Sequence, residues 1–142
     1  GPITATIRDK GVIYSATGTG RVGFIAAEDI AAAAAACLVA AAPLNADVVL
    51  TGPEALSYDD TAALIAAALG RPVHHVSLEP AALIARFVAQ GLPASYAETL
   101  TDLDRAIEAG AEEATTDGVE RVTGRPPASF RVFARRAAAS WT

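Results

Sequence analysis

The chain has 142 residues, of which 52% are hydrophobic and 19% charged, and its net charge is −5. This length and composition fit a single folded domain spanning residues 1–142 and exclude an extensively disordered chain. Only Arg131, Arg135 and Arg136 form a local basic cluster, so the charge pattern predicts no nucleic-acid partner.

The first segments predict a β-hairpin. Gly1 and Pro2 look like the remnant of a cleaved tag, and residues 4–8 are short and mixed in character. Residues 11–15 and 22–25 are β-rich, and the glycines between them are typical of a turn. We therefore expect two short strands joined by a glycine-bearing loop.

The same loop contains a glycine pattern that is also found in dinucleotide-binding sites. Gly18, Gly20 and Gly23 match G-x-G-x-x-G, in which glycines let the backbone approach a pyrophosphate at a helix N-terminus. Here the strand-like pair Phe24-Ile25 follows, and the next helix begins only near Asp29. The context favours a hairpin turn over a phosphate loop.

An alanine-rich helix follows, with Asp29 as its predicted N-cap and Pro43 ending it. Cys37 lies within it, and we expect a buried small side chain there rather than a nucleophile. A single cysteine allows no intramolecular disulfide, which is typical of a reducing cytoplasm. The apolar run is shorter than the about 20 residues that span a bilayer, so we expect no membrane association.

The middle of the chain predicts a strand at residues 47–51 and then a helix over Tyr58–Leu69. Ser57 and Asp60 have the spacing of a capping box, with Asp in place of Glu. Gly70 is the expected helix stop.

The last part predicts one more clear strand, at residues 72–78, and three further helices. Pro80 begins the first helix, Gly91 ends it, and the second covers residues 94–109. Residues 119–122 have the pattern of a short extended piece, and Ser129 is the expected cap of the final helix. The predicted fold class is therefore helix-rich α/β, with short strands among several helices.

Two adjacent histidines are the first candidates for chemistry. His74 and His75 lie on a predicted strand, where neighbouring side chains point to opposite faces, so one should face inward and the other outward. They are poorly placed to bind one metal ion together, and we predict no metal site. The inward histidine is a candidate general base, and a structural, hydrogen-bonded histidine is the alternative.

A break between two helices is the best candidate for a pocket wall. Phe87, Leu92 and Tyr96 flank the Gly91-Leu92-Pro93 segment, and ligand pockets are mostly apolar with few polar anchors. Tyr14 and Tyr96 can donate a hydrogen bond to a carbonyl, or serve as core aromatics. The candidate substrate-binding residues are Tyr14, Phe24, Phe87, Leu92, Tyr96 and Leu100. The candidate catalytic residues are His74, His75, Tyr96 and Asp102.

Four segments in this order resemble the C-terminal half of NmrA-like proteins, which are atypical short-chain dehydrogenases/reductases. They are Gly18-Thr19-Gly20-Arg21 with Phe24-Ile25 and Asp29-Ile30-Ala31; Leu50-Thr51-Gly52-Pro53-Glu54 with Leu56-Ser57; Leu69-Gly70-Arg71-Pro72-Val73; and Thr123-Gly124-Arg125-Pro126-Pro127 with Ser129-Phe130. The resemblance covers essentially the whole chain and is strongest to members of the NAD(P)H azoreductase and quinone reductase type.

The resemblance implies the substrate-binding portion of an NmrA-like fold without its Rossmann half. It therefore implies no cofactor site in this chain alone, and NAD(P)H where the chain pairs with a Rossmann half. The implied partners are a small apolar organic substrate and either a second copy in a homodimer or the missing half.

Three functions are consistent with these observations. The first is part of an NAD(P)H-dependent oxidoreductase, either truncated or split. The second is a cofactor-free homodimeric cyclase, isomerase or dehydratase that uses His74 or His75, Tyr96 and an acid such as Asp102 or Glu98. The third is a non-enzymatic regulatory or binding module, because fold alone does not decide between these.

Overall fold

The computed structural model describes residues 2–142, and helices form most of it. The elements in chain order are α1 (Pro2–Lys10), β1 (Val12–Ser15), β2 (Arg21–Val22), α2 (Ala27–Val39), β3 (Leu56–Ser57), α3 (Tyr58–Leu69), β4 (His74–Ser77), α4 (Pro80–Ala89), α5 (Ala94–Glu108), α6 (Gly118–Thr123) and α7 (Phe130–Ala137), followed by a 3₁₀ turn (Ala138–Ser140). The helix-rich α/β class is confirmed. Gly1 lies outside the described residues, and the tag remnant at residues 1–2 stays a prediction.

The strands pair differently from the predicted hairpin. β1 pairs with β4 in a parallel sheet, with Val12 opposite His74, whereas β2 pairs antiparallel with β3. The hairpin between residues 11–15 and 22–25 is therefore wrong. A turn in which the Gly20 amide donates to the Thr17 carbonyl at 2.9 Å redirects the chain before β2. β1 then finds its partner only after intervening helices, as parallel pairing requires.

The first helix, α1, occupies residues that looked irregular in the sequence. Its β-branched residues have modest helix propensity, so packing decides the conformation. Ile7 is 2% exposed. The Ile7 carbonyl accepts hydrogen bonds from the Gly11 amide and the Arg71 guanidinium, both at 2.9 Å.

Helix α2 begins two residues before its predicted cap. Because Ala27 is already helical, Asp29 does not cap the helix; its carboxylate accepts a hydrogen bond from the Ala128 amide at 2.7 Å. The predicted burial of Cys37 is also wrong, since this side chain is exposed. Among the described residues of this helix, only Ala33 is buried.

Residues 47–51 form no strand, and Gly118–Thr123 is helical rather than extended. Side-chain hydrogen bonds replace strand pairing in the first segment. The Thr116 hydroxyl donates to the Val49 carbonyl at 2.6 Å, and the Thr116 amide donates to the Thr51 hydroxyl at 2.8 Å. These bonds bring the start of α6 against residues 47–51 and bury Val119.

The predicted helix ends are largely confirmed. Ser57 and Asp60 form the capping box of α3, with the Asp60 amide donating to the Ser57 hydroxyl at 3.1 Å. Gly70 ends α3 with a φ of 66°. Ser129 accepts from the Val132 amide and caps α7. Each of these signals depends only on neighbouring residues, which is why the sequence alone predicts them.

The main hydrophobic core lies where α3 packs against α7 and the β1–β4 sheet. Its buried members are Ile7, Ile13, Ala62, Ile65, Val73, Ala134 and Trp141. No helix within residues 2–142 is both long and apolar enough to cross a membrane.

Candidate functional site

An open cavity of about 500 Å³ is lined mainly by residues of α4 and α5, and two of them, Tyr96 and Leu103, are more than half exposed. Its volume falls in the range of ligand-binding pockets, about 300–1,000 Å³. The residues that line it are Ile3, Tyr58, Phe87, Leu92, Tyr96, Leu100, Leu103, Asp104 and Ile107. The wall is therefore apolar and aromatic apart from the hydroxyls of two tyrosines and one carboxyl group.

The break between α4 and α5 shapes this cavity. Gly91 has a φ of 92°, a conformation that favours glycine, and it lets the chain reverse direction. The Leu92 amide donates to the Phe87 carbonyl at 3.1 Å. Phe87 and Tyr96 are thereby placed on the two helices that face the same space.

The cavity lies beside the carboxyl end of β1. The Ala16 amide, directly after the last residue of β1, donates to Oδ2 of Asp104 at 2.8 Å. Burial raises the pKa of the Asp104 carboxyl, while the Ala16 amide and the nearby His75 lower it in part. Asp104 is thus a half-buried carboxyl group held at a strand end.

Tyr58 is the second polar group of the cavity wall. Burial, with a smaller contribution from the charge of Asp104, raises the pKa of Tyr58 to about 12. Its hydroxyl therefore stays protonated at neutral pH and can donate a hydrogen bond to a ligand.

Behind Tyr58, the two histidines take opposite positions, as the alternation predicts. His74 is exposed, whereas the side chain of His75 is 2% exposed. His75 Nε2 lies 2.7 Å from the Ser15 hydroxyl, and His75 Nδ1 lies 3.3 Å from Oδ1 of Asp59. The Tyr58 ring lies over His75, with the ring centres 5.7 Å apart.

This order of serine, histidine and aspartate resembles a hydrolytic triad, but the burial of the serine does not suit nucleophilic attack. Ser15 is 2% exposed and its hydroxyl also lies 2.7 Å from that of Thr17. Ser15 is not among the residues that line the cavity. The network joins β1, β4 and α3 and fixes the groups behind the cavity wall.

Four of the candidate substrate-binding residues lie together: Phe87, Leu92, Tyr96 and Leu100 all line the cavity. The other two do not. Phe24 packs against Tyr58 and Phe130 at the edge of a smaller apolar cleft. The Tyr14 ring is covered by the Arg86 guanidinium, 3.7 Å from the ring centre.

The structure places Asp102, a candidate catalytic residue, outside the cavity. Its side chain is 73% exposed and pairs with Arg105 at 3.6 Å, on the far side of α5 from the cavity. Asp104 takes the position instead. It lies four residues after Leu100 and three before Ile107, which puts all three on one helical face. This helical spacing is the feature of the sequence that could have identified Asp104 as a residue of the cavity wall. No comparable pattern in the sequence points to Tyr58.

The glycine segment does not fit a dinucleotide phosphate. A Cβ at Gly20 would collide with the Ile107 carbonyl at the end of α5, so this glycine serves close packing of the protein on itself. Gly23 leads into residues 24–26, and α2 begins only at Ala27. Among residues 2–142 there is also no group of three or more potential metal ligands.

Comparison with known proteins finds relatives of the chain that are named as oxidoreductases or dehydrogenases. No family model matches it. It is 47% identical over 137 residues to the uncharacterized oxidoreductase YesF of Bacillus subtilis (strain 168), covering 96% of the chain and 48% of YesF. It is 43% identical over 128 residues to the agroclavine dehydrogenase of Claviceps fusiformis, covering 90% of the chain and 44% of that enzyme.

The fold also matches solved structures. An NADPH-dependent quinone oxidoreductase from Escherichia coli superposes with a TM-score of 0.86 at 24% identity, over 95% of this chain and 49% of that one. At 24% identity, this structural similarity is evidence for a shared fold and for nothing more. The chain spans about half the length of the curated relatives it matches.

Proposed function

The chain belongs to the NmrA-like family of atypical short-chain dehydrogenases/reductases, and from this premise we propose that it forms the substrate-binding side of an NAD(P)H-dependent oxidoreductase. The observation that carries the proposal is the apolar cavity of about 500 Å³ beside the carboxyl end of β1. In open α/β sheets, ligands bind outside the carboxyl ends of the strands. A small apolar organic substrate suits this wall, with the Tyr58 hydroxyl and Asp104 as its polar contacts.

The nucleotide-binding side comes from residues outside this chain segment, either in the same polypeptide or in a separate one. The glycines at positions 18–23 are engaged in packing and turns. The matched relatives are about twice as long as the region that aligns, which leaves room for a nucleotide-binding half. The quinone oxidoreductase is NADPH-dependent by name, and we propose NAD(P)H as the cofactor of the complete enzyme.

The β1–β4 sheet is the proposed docking edge for that half. Parallel sheets are usually larger and covered on both faces, and two short strands are marginal by themselves. Among the described residues, β1 and β4 each pair with one strand only. A further parallel strand beside β1 would extend the sheet and bring the nucleotide to the cavity; a second copy of the chain is the alternative occupant.

A chimera tests this proposal. The segment of YesF that aligns with this chain is replaced by this chain, and NADPH oxidation is measured by the loss of NADPH absorbance with menadione as acceptor. We expect turnover by the chimera and by intact YesF, and none by the purified chain alone. Leu100→Trp fills the cavity and should lower kcat/KM about tenfold, since it displaces the substrate.

Thr99→Trp is the matched control, because Thr99 is exposed and lies outside the cavity. It should leave turnover within about twofold of the unsubstituted chimera. Turnover by the isolated chain, or equal loss in the two tryptophan variants, would contradict the proposal. If the purified chain is dimeric and converts a substrate without NADPH, the cofactor-free enzyme is favoured instead.

A further inference from the structure

The smaller apolar cleft beside Phe24 is a second space in the molecule, separate from the cavity of α4 and α5. Its volume is about 210 Å³, and it lies between residues of α1, β1, α3 and α7, with Phe24 and Trp141 completing the wall. The two spaces share Ile3 and Tyr58, and the rest of their walls differ. A ligand bound in the smaller cleft therefore has its own set of contacts.

The shape of this cleft suits a small molecule better than a protein segment. Four residues of its wall are buried and belong to the main hydrophobic core: Ile7, Ile13, Ile65 and Trp141. A helix or strand that docks on a surface contacts exposed side chains, and of the described lining residues only Ile3 is exposed. The cleft is therefore a recess that reaches into the core.

The wall favours a neutral and apolar ligand. Among the described residues, no charged side chain lines the cleft. The Thr61 hydroxyl donates to the Tyr58 carbonyl at 2.9 Å, and within residues 2–142 every buried polar side-chain atom has a hydrogen-bond partner. A charged ligand would lose its hydration there without compensation, and an ordered water would find few free partners.

The aromatic side chains of the wall suit a ligand with one ring. The ring centre of Phe24 lies 5.5 Å from that of Phe130 and 5.7 Å from that of Tyr58, the second pair being edge to face. A further aromatic ring packs favourably against such side chains at similar distances. An apolar cavity of about 150 Å³ holds benzene, so the larger volume of this cleft leaves room for one ring with a small substituent.

We propose that the smaller apolar cleft is a second ligand site, and that it binds a small, neutral aromatic compound of one ring. The site is independent of the cavity of α4 and α5 as a substrate site, because their walls differ. A bound ring adds apolar contacts to Ile7 of α1, Ile65 of α3 and Trp141, and it stabilises the packing of these three segments.

Trp141 gives a direct readout, because it lines the cleft and is the only tryptophan of the chain. Iodobenzene, whose iodine quenches tryptophan fluorescence on contact, is titrated into the purified chain, and 4-iodobenzoate is its charged counterpart. We expect saturable quenching by iodobenzene, with a Kd lower than that of 4-iodobenzoate by about tenfold or more. Trp141 is 7% exposed, so collisions with either compound in solution should quench it little.

Thr4→Phe and Leu100→Phe are matched variants for locating the bound ring. Thr4 is half-buried and lines only the smaller cleft, whereas Leu100 lines only the cavity of α4 and α5. Thr4→Phe places a ring in the cleft and should raise the Kd of iodobenzene by about tenfold or more, since ligand and side chain compete for one space. Leu100→Phe should leave this Kd within about twofold.

Quenching that rises without saturation, or equal Kd values for the two compounds, overturns the proposal and indicates that protein side chains fill the cleft in solution. Loss of quenching in Leu100→Phe but not in Thr4→Phe places the ring in the other cavity and overturns it as well. The comparison of the two compounds needs no variant, so it decides the matter even where Thr4→Phe does not fold.

Discussion

At the scale of single residues, a shift of two positions separates a solvent-facing carboxylate from one that enters the cavity. Asp102 and Asp104 are about 200° apart around α5, because each residue of a helix advances about 100°. The face that carries Leu100 and Ile107 therefore includes Asp104 and excludes Asp102. Residue type alone does not distinguish the two, and only helical phase does.

The two histidines give a second test at this scale. His75→Ala removes the contacts with Ser15 and Asp59 and leaves a buried space, so we expect the free energy of unfolding to fall by about 2–3 kcal/mol. His74→Ala changes an exposed side chain and should alter it by less than about 0.5 kcal/mol. Urea denaturation measures both. Similar values for the two variants would mean that the buried network does not stabilise the sheet.

At the scale of elements, the structure separates local signals from long-range ones. The capping box at Ser57, the glycine stop at Gly70 and the Ser129 cap each involve residues within four positions of one another. The pairing of β1 with β4 joins residues that are 62 positions apart, as Val12 and His74 show. Nothing in the residues around β1 distinguishes this partner from β2.

The capping box makes a measurable contribution. Ser57→Ala removes the acceptor for the Asp60 amide, and we expect a loss of about 1 kcal/mol in the free energy of unfolding. Ser95→Ala is the matched control, since Ser95 is exposed within α5. It should be neutral or slightly stabilising, because alanine is the better helix former. A thermal or urea melt in which both variants behave alike would contradict the role of the cap.

At the scale of the whole molecule, large apolar side chains remain exposed away from the cavity. Leu38 and Val39, at the end of α2, are 86% and 82% exposed. The β1–β4 sheet adds strand edges without partners among the described residues. Exposed apolar side chains and open edges favour association with another chain or another segment.

We therefore expect the isolated chain to self-associate as its concentration rises, measured as mass by light scattering. Replacing both Leu38 and Val39 by alanine should reduce this association, because it truncates the two large apolar side chains with the greatest exposure among the described residues. Circular dichroism should show unchanged helix content, since neither side chain is buried. The same mass at every concentration for both proteins would rule out association through this surface.

The sequence by itself determined the elements whose signals are local and the family to which the chain belongs. It placed α3, α4, α5 and α7, the caps of α3 and α7, the opposite orientations of His74 and His75, and four residues of the cavity wall. Helix periodicity and capping act over a few neighbouring residues, so they can be identified without knowing the fold.

The tertiary structure alone decided strand partners, the helical state of residues 2–10 and 118–123, and the polar groups of the cavity. These depend on contacts between distant segments, where burial overrides local propensity. The burial of Ile7 stabilises α1 as a helix. At residues 47–51, hydrogen bonds with Thr116 take the place of strand pairing. The hydrogen bond that the Ala16 amide at the end of β1 donates to Asp104 is a long-range contact that helical spacing does not predict.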